Sequence, residues 1–139
     1  MPVRRIVPNL HAPDPSTSRA FYEQVLDLDV VMDLGWILTY AARDNPTAQL
    51  SVIGADASAP VHPDVSIEVD DVDAAHAAAQ KLGCEIVHPL TDEPWGVRRF
   101  FVREPTGRVL NILSHPPRPA PPERGAGAAD QTSSEMRRP

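Results

Sequence analysis

With 139 residues the chain has room for one domain, and a formal charge of −6 with a pI near 5.2 excludes a nucleic-acid binder that relies on a basic surface. Cys84 is the sole cysteine, so no intrachain disulfide can form. Neither an apolar leader nor a run of about 18 apolar residues occurs. These features lead us to expect a soluble, cytoplasmic protein without a nucleic-acid or membrane partner.

In chain order, a strand pattern ends near His11 and gives way at Asp14-Pro15 to a helical pattern over about 15–26. Asp can cap a helix, and Pro at its first position lacks only an N–H that the helix does not use. Ala20, Phe21, Val25 and Leu26 are its expected buried stripe. Strand signals follow at about 29–33, 36–42 and 48–53, with Asp44-Asn45-Pro46 as a turn. A second strand precedes Asp71-Val72, which opens a helix over about 72–82 with Val72, Ala75, Ala79 and Leu82 inward and Gly83 as its stop. Three more strands are expected at about 85–88, 98–103 and 108–113, the last two separated by Glu104-Pro105-Thr106-Gly107. Shifting the first half by 57 residues superposes strand, capped helix and following strands on the second. The chain is therefore α+β: two βαβββ modules, about 4–54 and 62–114, within a domain of residues 1–115. Residues 116–139 are rich in Pro, Ala and Gly and bury too little to offset their ordering entropy, so a disordered tail is expected.

Three motifs in order sharpen this. Phe21-Tyr22-Glu23-Gln24-Val25-Leu26 after Asp14, then Ser66-Ile67-Glu68-Val69-Asp70-Asp71-Val72-Asp73, then Phe101-Val102-Arg103-Glu104-Pro105-Thr106-Gly107-Arg108 together resemble the vicinal oxygen chelate superfamily, the glyoxalase and bleomycin-resistance architecture. Asp27 stands where that family usually has Gly, so this helix end is expected to close differently. The resemblance implies one eight-stranded, half-open barrel whose concave side holds the ligand. It also implies metal ligands, in metal-using members, on the first and last strands of each module. Those positions are Val7, Asp64 and Asn111 here, with Gln49 or Ser51 as the fourth. A zinc site needs about three ligands from His, Cys or carboxylate, and a valine with amides does not supply them. No metal and no cofactor is expected. His11, His62 and Asp64 match no family pattern as a composite metal site, and His76 and His88 are read as surface residues.

Alternate residues of a strand share a face, so Val7, Asn9 and His11 should look into the cleft together with Asp64, Ser66 and Glu68. The segment Glu93-Pro94-Trp95-Gly96 resembles loops of the metal-free, drug-binding bleomycin-resistance branch. In that reading Trp95 stacks on a planar ligand and Gly96 lets it approach the backbone; plugging the barrel end or a dimer contact is the alternative for Trp95. Trp36, Tyr40, Gln49, Arg99, Phe101 and Asn111 complete the candidate ligand-binding set, and no residue is assigned a catalytic role. Arg98 and Arg99 alternate faces, and either could pair with Asp64 or Glu68. The expected function is sequestration of a planar, partly aromatic natural product or antibiotic by a homodimer with pockets shared between chains, conferring resistance. The alternative is an enzyme of the same fold, a lyase, isomerase or dioxygenase acting on a small metabolite.

Overall fold

The computed structural model describes residues 2–115; the stretch 116–139, expected to be a disordered tail, lies outside the described residues. The first module is β1 (Val3–His11), a 3-10 turn (Pro15–Ser18), α1 (Arg19–Gln24), β2 (Leu28–Asp33), β3 (Ile37–Ala42) and β4 (Asn45–Ile53). The second is β5 (Val65–Val69), α2 (Val72–Leu82), β6 (Ile86–Asp92), β7 (Arg98–Arg103) and β8 (Val109–Ser114). The expected repeat of strand, helix and three strands is thus present in both halves.

Both helix starts work as their sequences imply. The Asp14 carboxylate accepts the Ser16 N–H at 3.0 Å with Pro15 next in line, and the Asp71 carboxylate accepts the Ala74 N–H at 3.0 Å. Gly83 ends α2 at φ +83°, a left-handed conformation that costs glycine nothing sterically. Asp27 adopts φ +58°, so this helix end closes through the same left-handed backbone a glycine would use, contrary to the expectation from the missing glycine.

The two helices bury different amounts. In α2, Val72, Ala75 and Ala79 pack on the sheet as expected, whereas Leu82 is 78% exposed because it lies at the last turn, beyond the sheet edge of the packed cluster. In α1 the expected stripe is not buried: Phe21, Val25 and Leu26 are exposed, and Tyr22 turns inward against Tyr40 with ring centroids 4.8 Å apart. The physical reason is the 3-10 start. Its tighter winding, three residues per turn, shifts the phase on which an α-helical stripe depends.

The eight strands form one sheet in the order β2-β3-β4-β1-β5-β8-β7-β6. Within the modules β1 runs parallel to β4 and β5 parallel to β8; the modules meet at an antiparallel β1–β5 seam with Val7 opposite Ser66. The curled sheet is the expected half-open barrel. Its convex side carries the apolar packing. Leu38, Tyr40 and Val52 lie under Tyr22, and Val69, Phe100 and Val102 lie under Val72, Ala75 and Ala79. Parity then leaves the other face of the same strands to form the concave cleft.

Candidate functional site in the concave cleft

Backbone register sets the cleft wall. Ser51 lies level with Asn9, Val7 opposite Ser66, and Ser66 level with Asn111, which in turn faces Phe101. Gln49 and Ser51 are two residues apart on β4 and share the concave face, so the choice between them dissolves: Gln49 bonds the Arg5 guanidinium and Ser51 lines the central hollow. That hollow is lined by Arg5, Val7, Ser51, Ser66, Glu68 and Leu113 and measures about 230 Å3, including its open mouth.

Two hydrogen-bonded groups flank it. In the first, Glu68 accepts from Arg5 Nε at 2.5 Å on one oxygen and pairs with His115 Nδ1 at 2.8 Å on the other. Burial alone would raise the Glu68 pKa. The His115 hydrogen bond and the Arg5 charge outweigh it and bring the carboxyl from 4.5 down to about 2. Glu68 is therefore an anion at neutral pH, and a weak base. In the second group, Ser66 Oγ accepts from Asn9 Nδ2 at 2.9 Å and from Asn111 Nδ2 at 3.0 Å, while Asn111 Oδ1 is buried without a partner. Thr39 and Ser51 share a hydroxyl–hydroxyl bond of 2.7 Å beside them.

Arg5 and His115 are the functional-site residues that sequence reading missed. Arg5 shares the parity of Val7, so the alternation that selected Asn9 and His11 also pointed to it. His115 lies just past β8, where alternation from Asn111 and Leu113 still applies.

The far rim is built from loops. Arg99 donates to Glu93 at 2.7 Å and to Asp56 and Ser58 at 3.1 Å each, and His88 Nε2 meets the same Glu93 oxygen at 3.0 Å. This corrects two expectations. Arg99 pairs with Glu93 and Asp56 rather than with Asp64 or Glu68, and Arg98 points outward to Asp73 and Asp92. His88 is buried instead of superficial, because its β6 position faces Phe101 and the loop closes over it. Burial pushes the Asp56 carboxyl up, but its bonds from Ser58 and the charge of Arg99 hold it below its ordinary value.

Trp95 belongs to this rim. The Arg99 guanidinium lies 4.9 Å from its ring centroid and Trp36 meets it edge-on at 5.4 Å, so one ring face is occupied. Trp36 precedes β3 and escapes its parity, packing with Met32, Ile37 and Ile53. Tyr40 does not line the cleft: it is fully buried on the convex side with Leu38 and Val52, since β3 is regular from Ile37 onward. Its hydroxyl has no partner, and burial raises its pKa. Gly96 sits at φ +98° with open space around it, a turn position that favours glycine and leaves its backbone approachable. His11 and His62 stack at the opposite rim with ring centroids 4.0 Å apart, and Asp64 is exposed beside them, its carbonyl accepting the Asn9 N–H at 3.0 Å.

Taken together, the positions at which the family resemblance would place a metal hold Val7, Asp64, Asn111 and either Gln49 or Ser51. One side chain has no lone pair, one is an amide, one an exposed carboxylate and the fourth an amide or a hydroxyl, while the Arg5 cation lines the central hollow beside Val7 and Ser51. This donor set does not fit a divalent transition metal. Among the described residues no group of three or more His, Cys, Asp or Glu is placed to hold one.

A curled two-module sheet with a polar concave cleft defines a fold shared across many proteins. The model of the Glyoxalase/Bleomycin resistance protein/Dioxygenase superfamily matches residues 6–112, and the chain belongs to that superfamily. No curated protein sequence matches the chain. Among solved structures it is similar to an NAD-dependent benzaldehyde dehydrogenase from Legionella pneumophila, at 17% identity and a TM-score of 0.64 over 80% of this chain and 99% of that one. It is also similar to a superfamily member from Vibrio splendidus, at 18% identity and a TM-score of 0.57 over 81% and 99%. A variant of homoprotocatechuate 2,3-dioxygenase from Brevibacterium fuscum matches at 22% identity and a TM-score of 0.58, over 82% of this chain and 34% of that one. These likenesses concern the fold. Among the described residues no helix is long and apolar enough to cross a membrane.

Proposed function

We propose that this chain binds a small organic molecule in its concave cleft without a metal ion, and holds it rather than transforming it. The observation that carries this reading is the donor set: Val7, Asp64, Asn111 and either Gln49 or Ser51 at the family's ligand positions, with Arg5 beside Val7 and Ser51 in the central hollow. A guanidinium beside a valine repels a divalent cation, yet it offers hydrogen bonds to an organic ligand.

The enclosed part of the hollow in one chain is only about 10 Å3, room for about one water molecule, against the roughly 300–1,000 Å3 usual for drug-sized ligands. A planar, partly aromatic natural product of antibiotic size therefore requires a second copy of the chain to complete the pocket. A homodimer with shared pockets, and resistance to the sequestered compound, belong to that larger-ligand version. Mass spectrometry of what co-purifies, with calorimetric rebinding and elemental analysis of untagged protein, tests the reading. Stoichiometric Fe, Mn, Ni or Zn overturns it.

The second reading is an enzyme, and one observation favours it. Glu68 holds His115 by Nδ1 at 2.8 Å, the way an acid–base imidazole is oriented. Recovery of a bound compound in chemically altered form, dependent on His115, decides for it.

A further inference from the structure

The hydrogen-bonding groups around the central hollow are unevenly used. The acceptors that line it are occupied, with Asn111 Oδ1 and His115 Nε2 behind them left without partners: Glu68 takes Arg5 Nε and His115 Nδ1 on its two oxygens, Gln49 Oε1 takes Arg5 Nη1, and Ser66 Oγ takes both Asn9 and Asn111. The donors are not. A guanidinium carries five N–H groups, and two of those on Arg5 are placed, which leaves both on Nη2 and one on Nη1. Ser66 Oγ already accepts two amide N–H groups, so its own proton is free to be donated. Arg5 faces Glu68 and Val7 faces Ser66 across the seam, which makes Arg5 and Ser66 diagonal neighbours lining one hollow.

Resting on the cleft-binding reading above, we propose that Arg5 takes the place of the divalent cation as the cleft's fixed positive group, and that with the Ser66 hydroxyl it binds the carboxylate of a small organic acid. The Nη1–Nη2 edge of a guanidinium presents two parallel N–H bonds, which match the two oxygens of a carboxylate. Glu68 and Gln49 do not compete for that edge. They hold the guanidinium plane from Nε and from Nη1, so the group is ordered before a ligand arrives. The Glu68 charge is met from both sides, by Arg5 and by the His115 hydrogen bond, which limits its repulsion of an incoming anion. Val7 and Leu113 supply the apolar wall for the short carbon skeleton of such an acid.

The test is an NMR titration of the full chain with propionate, pyruvate and benzoate, each against a neutral comparator (propionamide, pyruvamide, benzamide), with and without EDTA. Saturable shifts at residues of the hollow are expected for at least one acid. Its amide should bind at least about tenfold more weakly, and EDTA should change nothing. Ser66→Ala is expected to weaken the acid several-fold. The double variant Arg5→Gln/Glu68→Gln removes both charges and leaves no buried unpaired carboxylate, so it should fold and lose the preference for the acid. Equal binding of acid and amide, unchanged acid binding in the double variant, loss of binding on chelation, or no saturable shift from any acid each overturns the inference. A neutral compound recovered from the purified protein and bound at the same hollow would overturn it while leaving the cleft-binding reading intact.

Discussion

Replacing Glu68 by Gln removes the carboxylate clamped between Arg5 and His115. Folding brings its pKa from 4.5 to about 2, despite burial that alone would raise it. At about 1.4 kcal/mol per tenfold change in acidity, this corresponds to roughly 3 kcal/mol of folded-state stability at neutral pH. It is an upper figure, since the side chain keeps 16% of its surface in water, which screens both partners. The folded pKa lies below the unfolded one, so the contribution is complete above about pH 5 and is lost as pH falls toward about 2. Urea unfolding of both proteins at pH ~7, ~5 and ~3 measures the difference directly. We expect Glu68→Gln to cost about 2–3 kcal/mol at pH ~7 and the gap to narrow to roughly half by pH ~3. A gap that stays constant over that range, or one below about 0.5 kcal/mol at neutral pH, refutes the assignment of Glu68 as a clamped anion.

Other outcomes follow from single contacts. Arg99→Met leaves Glu93 and Asp56 buried without their cation, and a loss of about 3–5 kcal/mol is expected in chemical denaturation. In a Trp36→Phe background the same change should shift Trp95 emission to the red as its rim loosens. Asp27→Gly relieves a left-handed backbone on an exposed residue and should stabilise the fold by about 0.5–1 kcal/mol, read as a rise in Tm. Tyr40→Phe removes a buried hydroxyl that has no partner, so stability should hold or rise by up to about 1 kcal/mol, with ligand affinity unchanged because the residue lies on the convex side.

Local chemistry made much of the architecture legible. Asp14-Pro15 and Asp71 cap helix starts through bonds within three residues of themselves, and Gly83 ends a helix through its own φ, so these needed no knowledge of the rest of the chain. Two-residue alternation likewise grouped Val7 with Asn9 and placed Ser66 on the concave side, because a strand's faces are set by its backbone. Tyr40 shows where this reasoning stops. Parity grouped it with Trp36, but only packing revealed that β3 begins after Trp36 and turns Tyr40 beneath α1.

The sequence by itself thus determined the two βαβββ modules and their order, since periodicity and capping are local properties. The tertiary structure alone decided which polar groups meet. Arg5 reaches Glu68 only through the β1–β5 register, and a slip of one residue along that seam would send it to the convex side. Glu93 reaches Arg99 from the β6–β7 loop and Asp56 from the connection between the modules, 6 and 43 residues away along the chain. His88 becomes buried for the same reason. Such partnerships depend on how the sheet curls and where its loops cross the cleft, and no local pattern encodes that.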